Sequence, residues 1–153
     1  MNFHKVPFEA MDSLQKRVLI IEDDLTAISL WKELLSGVGE KVLIEWASCE
    51  EDARFMLWNS ILEDRKYDLV ITDIYLSSHR TGLDLWKSFH EEFQGKFIVV
   101  SGIDYQKLLK TLGPGLDRPF FLHKPFQFEE TISLVRSVMG LSHFHYENEK
   151  RIV

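Results

Sequence analysis

Four short apolar runs in this chain each end at polar residues that phosphoryl chemistry can use. They end at Glu22-Asp23-Asp24, at Asp73, at Ser101 and at His123-Lys124-Pro125. Runs of Val, Ile, Leu and Phe separated by longer stretches with helical spacing are typical of buried parallel strands. Parallel strands share one carboxyl edge, and ligands bind just beyond that edge in open α/β sheets. We therefore expect an acidic pair, a lone aspartate, a hydroxyl and a lysine to converge there.

The pattern of apolar residues predicts five strands, each followed by a helix. The helical stretches carry apolar residues at three- and four-residue intervals, and glycines mark several of their ends. This alternation predicts an α/β fold with a doubly wound parallel sheet. The predicted strands cover residues 17–22, 42–47, 69–72, 97–100 and 119–123.

Local signals predict how two of the helices begin and how the tryptophans are used. Asp24 is expected to cap the first helix, and Ser48 to Glu51 has the Ser-x-x-Glu form of a capping box for the second. Three tryptophans fall on helix faces, where we expect them to pack against the core. They are Trp31, Trp58 and Trp86.

Charge and composition exclude several classes of protein. A net charge of −6 without a cluster of basic residues disfavours direct contact with nucleic acid. No apolar run approaches membrane-spanning length, and the first 16 residues lack a signal-peptide core. Cys49 is the only cysteine, which rules out a disulfide within the chain and fits a reducing compartment. We expect a single cytoplasmic domain that does not insert into membranes.

The residues expected at the sheet edge suit metal-assisted phosphoryl transfer. Three neighbouring carboxylates, Glu22, Asp23 and Asp73, repel one another unless a positive charge lies between them. Mg²⁺, with Mn²⁺ as an alternative, prefers such oxygen ligands and keeps room for phosphate oxygens. Lys124 offers an ammonium and Ser101 a hydroxyl to the same phosphoryl group, and a carboxylate can accept that group as an acyl phosphate.

Four motifs occur in the order and approximate spacing of a known family. They are VLIIEDD at 18–24, DLVITDIYL at 68–76, FIVVSG at 97–102 and FFLHKPF at 120–126. With them, the chain resembles a response-regulator receiver domain, the CheY-like phospho-acceptor module of two-component signalling. The resemblance covers residues 17–139 and leaves an N-terminal extension, 1–16, and a C-terminal tail, 140–153. It implies a flavodoxin-like (βα)5 three-layer sandwich with parallel strand order 2-1-3-4-5.

The resemblance also implies a role for each residue that matches a family motif. Asp73 is then the phosphorylated residue, while Ser101 and Lys124 bind the phosphoryl group and Phe121 is the switch aromatic. The Lys124-Pro125 peptide bond is expected to be cis. The implied ligands of Mg²⁺ are Glu22, Asp23, Asp73 and the backbone carbonyl of Tyr75. The chain departs from the commoner family pattern by having Ser at 101, Phe at 121, and a loop over 74–82 that lacks the usual proline and is slightly longer.

The resemblance implies the partners, while the same residue chemistry leaves two alternative functions open. The phosphoryl donor is expected to be a histidine kinase or a histidine phosphotransfer protein. The 104–139 face is expected to contact a downstream protein or to form a homodimer. One alternative is a phosphatase of the haloacid-dehalogenase type, although that class needs an acid where Tyr75 stands. Another is a receiver-like docking module that is never phosphorylated. The scattered histidines have no ligand spacing and are interpreted as surface residues: His79, His90, His123, His143 and His145.

Overall fold

The structure is a computed structural model that describes residues 15–76, 81–115 and 117–141. The predictions made for residues 1–14, for His79 and for the tail beyond Leu141 concern residues outside these ranges. In the described ranges, no helix has the length and apolar character needed to cross a membrane.

Five strands and five helices alternate along the described chain, and all strand pairs are parallel. The sheet has the order β2-β1-β3-β4-β5, which confirms the predicted doubly wound flavodoxin-like fold. The first strand begins at Lys16, one residue earlier than predicted. The strands are β1 (Lys16–Ile21), β2 (Val42–Ala47), β3 (Leu69–Asp73), β4 (Phe97–Ser101) and β5 (Phe120–His123), and the helices are α1 (Leu25–Ser36), α2 (Glu50–Leu62), α3 (Gly82–Phe89), α4 (Tyr105–Leu112) and α5 (Phe128–Val138).

Helices cover both faces of the sheet and form two apolar layers. Val18 and Ile20 of β1 pack with α1 and α5 on one face, whereas Leu19 and Ile21 pack with α2 and α3 on the other. These four side chains are at most 1% exposed. Because both faces are buried, β1 is apolar throughout instead of alternating with polar residues. The same burial leaves the carboxyl edge of the sheet as the place for its polar residues.

Two helix starts differ in how they are capped. The Asp24 side chain accepts a hydrogen bond from Thr26 N over 2.8 Å, which confirms the predicted cap of α1. The predicted capping box at Ser48 is wrong, because α2 begins one residue later and its N-cap, Cys49, makes no side-chain cap bond. A reciprocal box instead opens α3. There Asp84 N donates to Thr81 Oγ1 and Thr81 N donates to Asp84 Oδ2, at 3.3 and 2.7 Å.

The expectation that all three helical tryptophans are buried holds for two of them. Trp31 and Trp86 are buried, but Trp58 is 50% exposed, and its ring makes an edge contact with Phe89 at 5.3 Å. Helix α2 packs on the sheet through Ala53 and Leu57. Trp58 therefore lies toward the outer side of this helix. There it joins two exposed neighbours in what we call the α2 stripe: Phe55, Trp58 and Leu62.

Candidate functional site

The carboxyl ends of the strands bring together residues that lie far apart in the sequence. Asp73 is the last residue of β3, and Lys124 follows the end of β5. Lys124 Nζ lies 2.5 Å from Asp73 Oδ2 and 4.0 Å from Glu22 Oε2. The backbone N–H of Lys124 also donates to the Ser101 carbonyl over 2.8 Å, which extends the β4–β5 ladder to the site. The Lys124-Pro125 bond is cis, as predicted.

Glu22 is a buried carboxyl group at this edge, only 4% exposed. Its Oε1 accepts a hydrogen bond from Asp24 N over 3.0 Å. Burial raises the pKa of Glu22, and the nearby charge of Asp73 raises it further. The Asp24 hydrogen bond and Lys124 only partly offset these effects. Ionised Glu22 is therefore unfavourable in free energy in the folded protein, and a bound cation would make it less so.

Lys124 supplies a permanent positive charge among these acids. Partial burial works against that charge, but the hydrogen bond and the charge of Asp73 outweigh the burial, so the pKa of Lys124 is raised. Glu22 acts in the same direction. Lys124 is therefore an ammonium at any physiological pH and is well placed to contact an anionic group bound to Asp73.

The donor chemistry fits a divalent cation, although the ligands are not preassembled around one. Asp23 is exposed beside Glu22, and Tyr75 N donates to Asp73 Oδ1 over 3.1 Å. Among the described residues, no three acidic, histidine or cysteine side chains are arranged as a ready metal site. Glu22 and Asp73 lie close enough for their charges to interact, and Lys124 engages the second oxygen of Asp73. Carboxylate oxygens of this kind are what Mg²⁺ prefers.

Ser101 and Phe121 are engaged by neighbours other than Asp73. Ser101 is buried, and its Oγ accepts a hydrogen bond from Ile103 N over 3.0 Å. The half-buried Phe121 ring lies 5.4 Å from the ring of Tyr105 and packs near Leu108 of α4. The hydroxyl is therefore engaged by its own loop, and the aromatic ring belongs to the α4–β5 side of the molecule.

Gly82, which the sequence marked only as the end of a polar loop, packs directly on the acceptor strand. A Cβ at this position would lie 2.1 Å from the Asp73 carbonyl oxygen and 2.4 Å from Thr72 Oγ1. Gly82 N also donates to the Ile74 carbonyl over 2.9 Å. The start of α3 can therefore approach the end of β3 only with glycine here.

Trp46 is a second residue that the motifs did not single out. It lies at the end of β2, and its indole Nε1–H donates to the Glu22 carbonyl over 2.6 Å. A tryptophan near the end of the strand that pairs with the acidic strand is the only sequence signal for this contact. Pattern alone does not reveal it, because the bond depends on the register between β1 and β2.

The fold and these side chains define a doubly wound α/β protein with an acid–lysine site beyond the carboxyl edge of its sheet. The chain belongs to the response regulator receiver domain family, whose model matches residues 18–136. Receiver domains are modules of two-component signalling and are not classical enzymes.

Individual relatives agree with this membership. The chain is 28% identical over 133 residues to the transcriptional regulatory protein CpxR of Klebsiella pneumoniae, covering 87% of this chain and 53% of that protein. It thus spans about half the length of the curated relatives it matches. A response regulator receiver protein from Sinorhizobium medicae superposes with a TM-score of 0.68 at 19% identity, covering 82% of this chain and 95% of the other. A CheY-like receiver domain protein from Methanospirillum hungatei gives 0.64 at 22% identity, covering 82% and 94%. At these identities the structural matches support the fold.

Proposed function

We propose that this chain accepts a phosphoryl group on Asp73 from a phosphohistidine and thereby changes its affinity for a partner protein. The observation that carries the proposal is the contact of Lys124 Nζ with Asp73 Oδ2, at 2.5 Å, beside the buried Glu22. An ammonium at the acceptor carboxylate orients that carboxylate. It is also placed to neutralise the negative charge of an incoming phosphoryl group.

The proposed reaction moves the phosphoryl group from a donor imidazole to Asp73. An Asp73 carboxylate oxygen attacks phosphorus, so that a P–O bond forms while the P–N bond to the donor imidazole breaks. The electron pair of that bond stays on the imidazole nitrogen, which takes up a proton from solvent. Lys124 neutralises one phosphoryl oxygen during this in-line displacement.

The carboxylates would hold the metal that such a reaction uses. In our proposal Glu22, Asp23, Asp73 and the Tyr75 carbonyl bind Mg²⁺, or Mn²⁺ in its place. When bound there, the ion would neutralise phosphoryl charge near the acceptor carboxylate. Support comes from Glu22, whose pKa is raised by burial first and by the neighbouring charge of Asp73 next, so that a bound cation would favour its ionised form.

The response to phosphorylation is proposed to involve Ser101 and Phe121. Ser101 Oγ would exchange the Ile103 N–H for a phosphoryl oxygen, which a hydroxyl can do because it both donates and accepts. The vacated space would admit Phe121, whose present neighbour is Tyr105. The equilibrium shifts because these bonds exist only in the phosphorylated state. The surface that would change is the 104–139 face, which a downstream protein or a second copy would contact.

The two alternatives make different demands on the site. A phosphatase would need an acid two residues after the acceptor, where the chain has Tyr75 with an exposed side chain. A docking module would not need Glu22, Asp73 and Lys124 to meet at one point. The same proposal includes a kinase that supplies the phosphohistidine, a downstream target and a cytoplasmic location. It also places the receiver domain at residues 17–139.

The test is acetyl phosphate labelling with Mg²⁺, followed by intact mass and peptide mapping. We expect one added phosphoryl group at Asp73, lost in Asp73→Asn and when Mg²⁺ is chelated. Asp52→Asn, an exposed residue on α2, is the matched control and should label normally.

Two results would count against the proposal. One is an unmodified Asp73 that also fails to bind beryllofluoride with Mg²⁺, which favours the docking module. The other is multiple turnover on p-nitrophenyl phosphate, which favours the phosphatase.

A further inference from the structure

Two hydrogen bonds from β2 hold the backbone on both sides of Glu22. Glu22 N–H donates to the Ala47 carbonyl over 3.0 Å, and Trp46 Nε1–H donates to the Glu22 carbonyl over 2.6 Å. The first bond only continues the parallel ladder, so any residue at position 47 can accept it. The second comes from a side chain and depends on Trp46 itself.

The Trp46 bond acts on the peptide group that joins the two acidic residues. The Glu22 carbonyl and the Asp23 N–H share one rigid plane. A change in ψ of Glu22 turns this plane and carries Asp23 with it, so the placement of the two carboxylates relative to each other depends on the orientation of the Glu22 carbonyl that Trp46 holds. Because the Glu22 side chain is also bonded to Asp24 N, the segment is held at its carbonyl and its carboxylate at once.

We propose that Trp46 is a positioning residue for cation binding: its indole N–H keeps the Glu22-Asp23 peptide in the orientation that presents both carboxylates to a divalent cation. This inference rests on the Mg²⁺ binding in the proposed function. It adds that a side chain of β2 helps to position the carboxylates that bind the ion. Trp46 is 40% exposed, so its ring is not a main element of either apolar layer. Its hydrogen bond is therefore separable from its packing.

The experiment compares Trp46→Phe with Trp58→Phe in the full chain. Trp46→Phe removes the N–H and keeps an aromatic ring, while Trp58→Phe makes the same change at a half-exposed tryptophan on α2. Mg²⁺ alone is titrated by calorimetry and by tryptophan emission. Loss of one hydrogen bond should weaken Mg²⁺ binding about three- to tenfold in Trp46→Phe. Trp58→Phe should bind like the wild type.

A second readout separates positioning from damage. In Trp46→Phe the Mg²⁺ concentration for half-maximal acetyl phosphate labelling should rise, while the plateau at saturating Mg²⁺ stays at the wild-type level. If the phenylalanine variant does not fold, benzothienylalanine at position 46 keeps the tryptophan shape and replaces the N–H by sulfur.

The outcomes distinguish this inference from the function on which it rests. Unchanged Mg²⁺ affinity in Trp46→Phe, equal weakening in Trp58→Phe, or a lowered labelling plateau would each overturn the role of Trp46 and leave the phospho-acceptor function standing. A wild-type chain that does not bind Mg²⁺ would overturn both.

Discussion

Glu22 shows how a single buried carboxyl group links this site to stability. Its folded pKa is raised above the ordinary 4.5, by burial first and then by the charge of Asp73. An acid with a raised folded pKa stabilises the fold fully below its unfolded pKa, and this contribution is lost as pH rises through the folded value. At neutral pH the folded protein therefore carries an ionised group that costs stability.

Replacing this carboxylate by an amide should stabilise the metal-free protein. Glu22→Gln keeps an acceptor for Asp24 N and removes the charge, so we expect the free energy of unfolding at pH 7 to rise by about 0.5–2 kcal/mol. The gain should shrink toward pH 4, where the wild-type carboxyl is protonated. Urea denaturation at the two pH values, with a chelator present, measures this. The exposed Glu40→Gln serves as control, and equal stability of Glu22→Gln and wild type at pH 7 would contradict the prediction.

Gly82 illustrates a residue whose importance lies in close backbone approach. Gly82→Ala would place a methyl group against the Asp73 carbonyl and Thr72 Oγ1. We expect this to lower the free energy of unfolding by about 1–3 kcal/mol, as overpacking commonly does. Gly115→Ala is the control, since a Cβ there meets nothing within 4 Å. Equal denaturation midpoints for the two variants would show that α3 shifts freely to make room.

At the scale of elements, α2 is apolar on both its inner and outer sides. Leu57 is fully buried against the sheet, while Leu62 on the α2 stripe is 79% exposed. Spacing alone does not tell these residues apart, because both belong to a helix with apolar residues around most of its circumference. Only contact with the sheet decides which of them stabilises the fold.

Truncation to alanine at these two leucines should therefore lower the free energy of unfolding by very different amounts. Leu57→Ala is expected to cost about 2–5 kcal/mol, because it leaves a cavity in the core. Leu62→Ala should stay within about 0.5 kcal/mol of the wild type, as exposed substitutions usually do. Chemical denaturation of the pair measures the difference. A large cost at Leu62 would contradict the prediction and show that the α2 stripe is covered in solution.

For the molecule as a whole, the proposed cation binding would be coupled to folding through the sheet edge. A ligand that binds only the folded state stabilises it by RT ln(1 + [L]/Kd), about 1.4 kcal/mol at ten times Kd. Mg²⁺ should therefore raise Tm by a few degrees in a domain of this size. Thermal unfolding monitored by circular dichroism tests this. Asp23→Asn should abolish the rise, and KCl at equal ionic strength should not reproduce it. A rise that survives in Asp23→Asn would place the bound cation elsewhere.

The order of apolar runs in the sequence was enough to predict the class of fold and the contact at the centre of the site. Short apolar runs separated by helical stretches are typical of parallel strands, and parallel strands bring their last residues to one edge of the sheet. Asp73 and Lys124 could thus be paired from the sequence alone, although 51 residues separate them. The cap of α1 was equally predictable, because it depends on neighbours two positions apart.

Features that depend on distant neighbours emerge only from the packing of the folded chain. The burial of Glu22, the bond from Trp46, the close approach at Gly82 and the exposed side of Trp58 all arise where separate elements meet. Spacing within one segment describes which face of that segment is apolar, but not what lies opposite it. Register and packing between segments set those contacts, and with them the charge and the rigidity of the site.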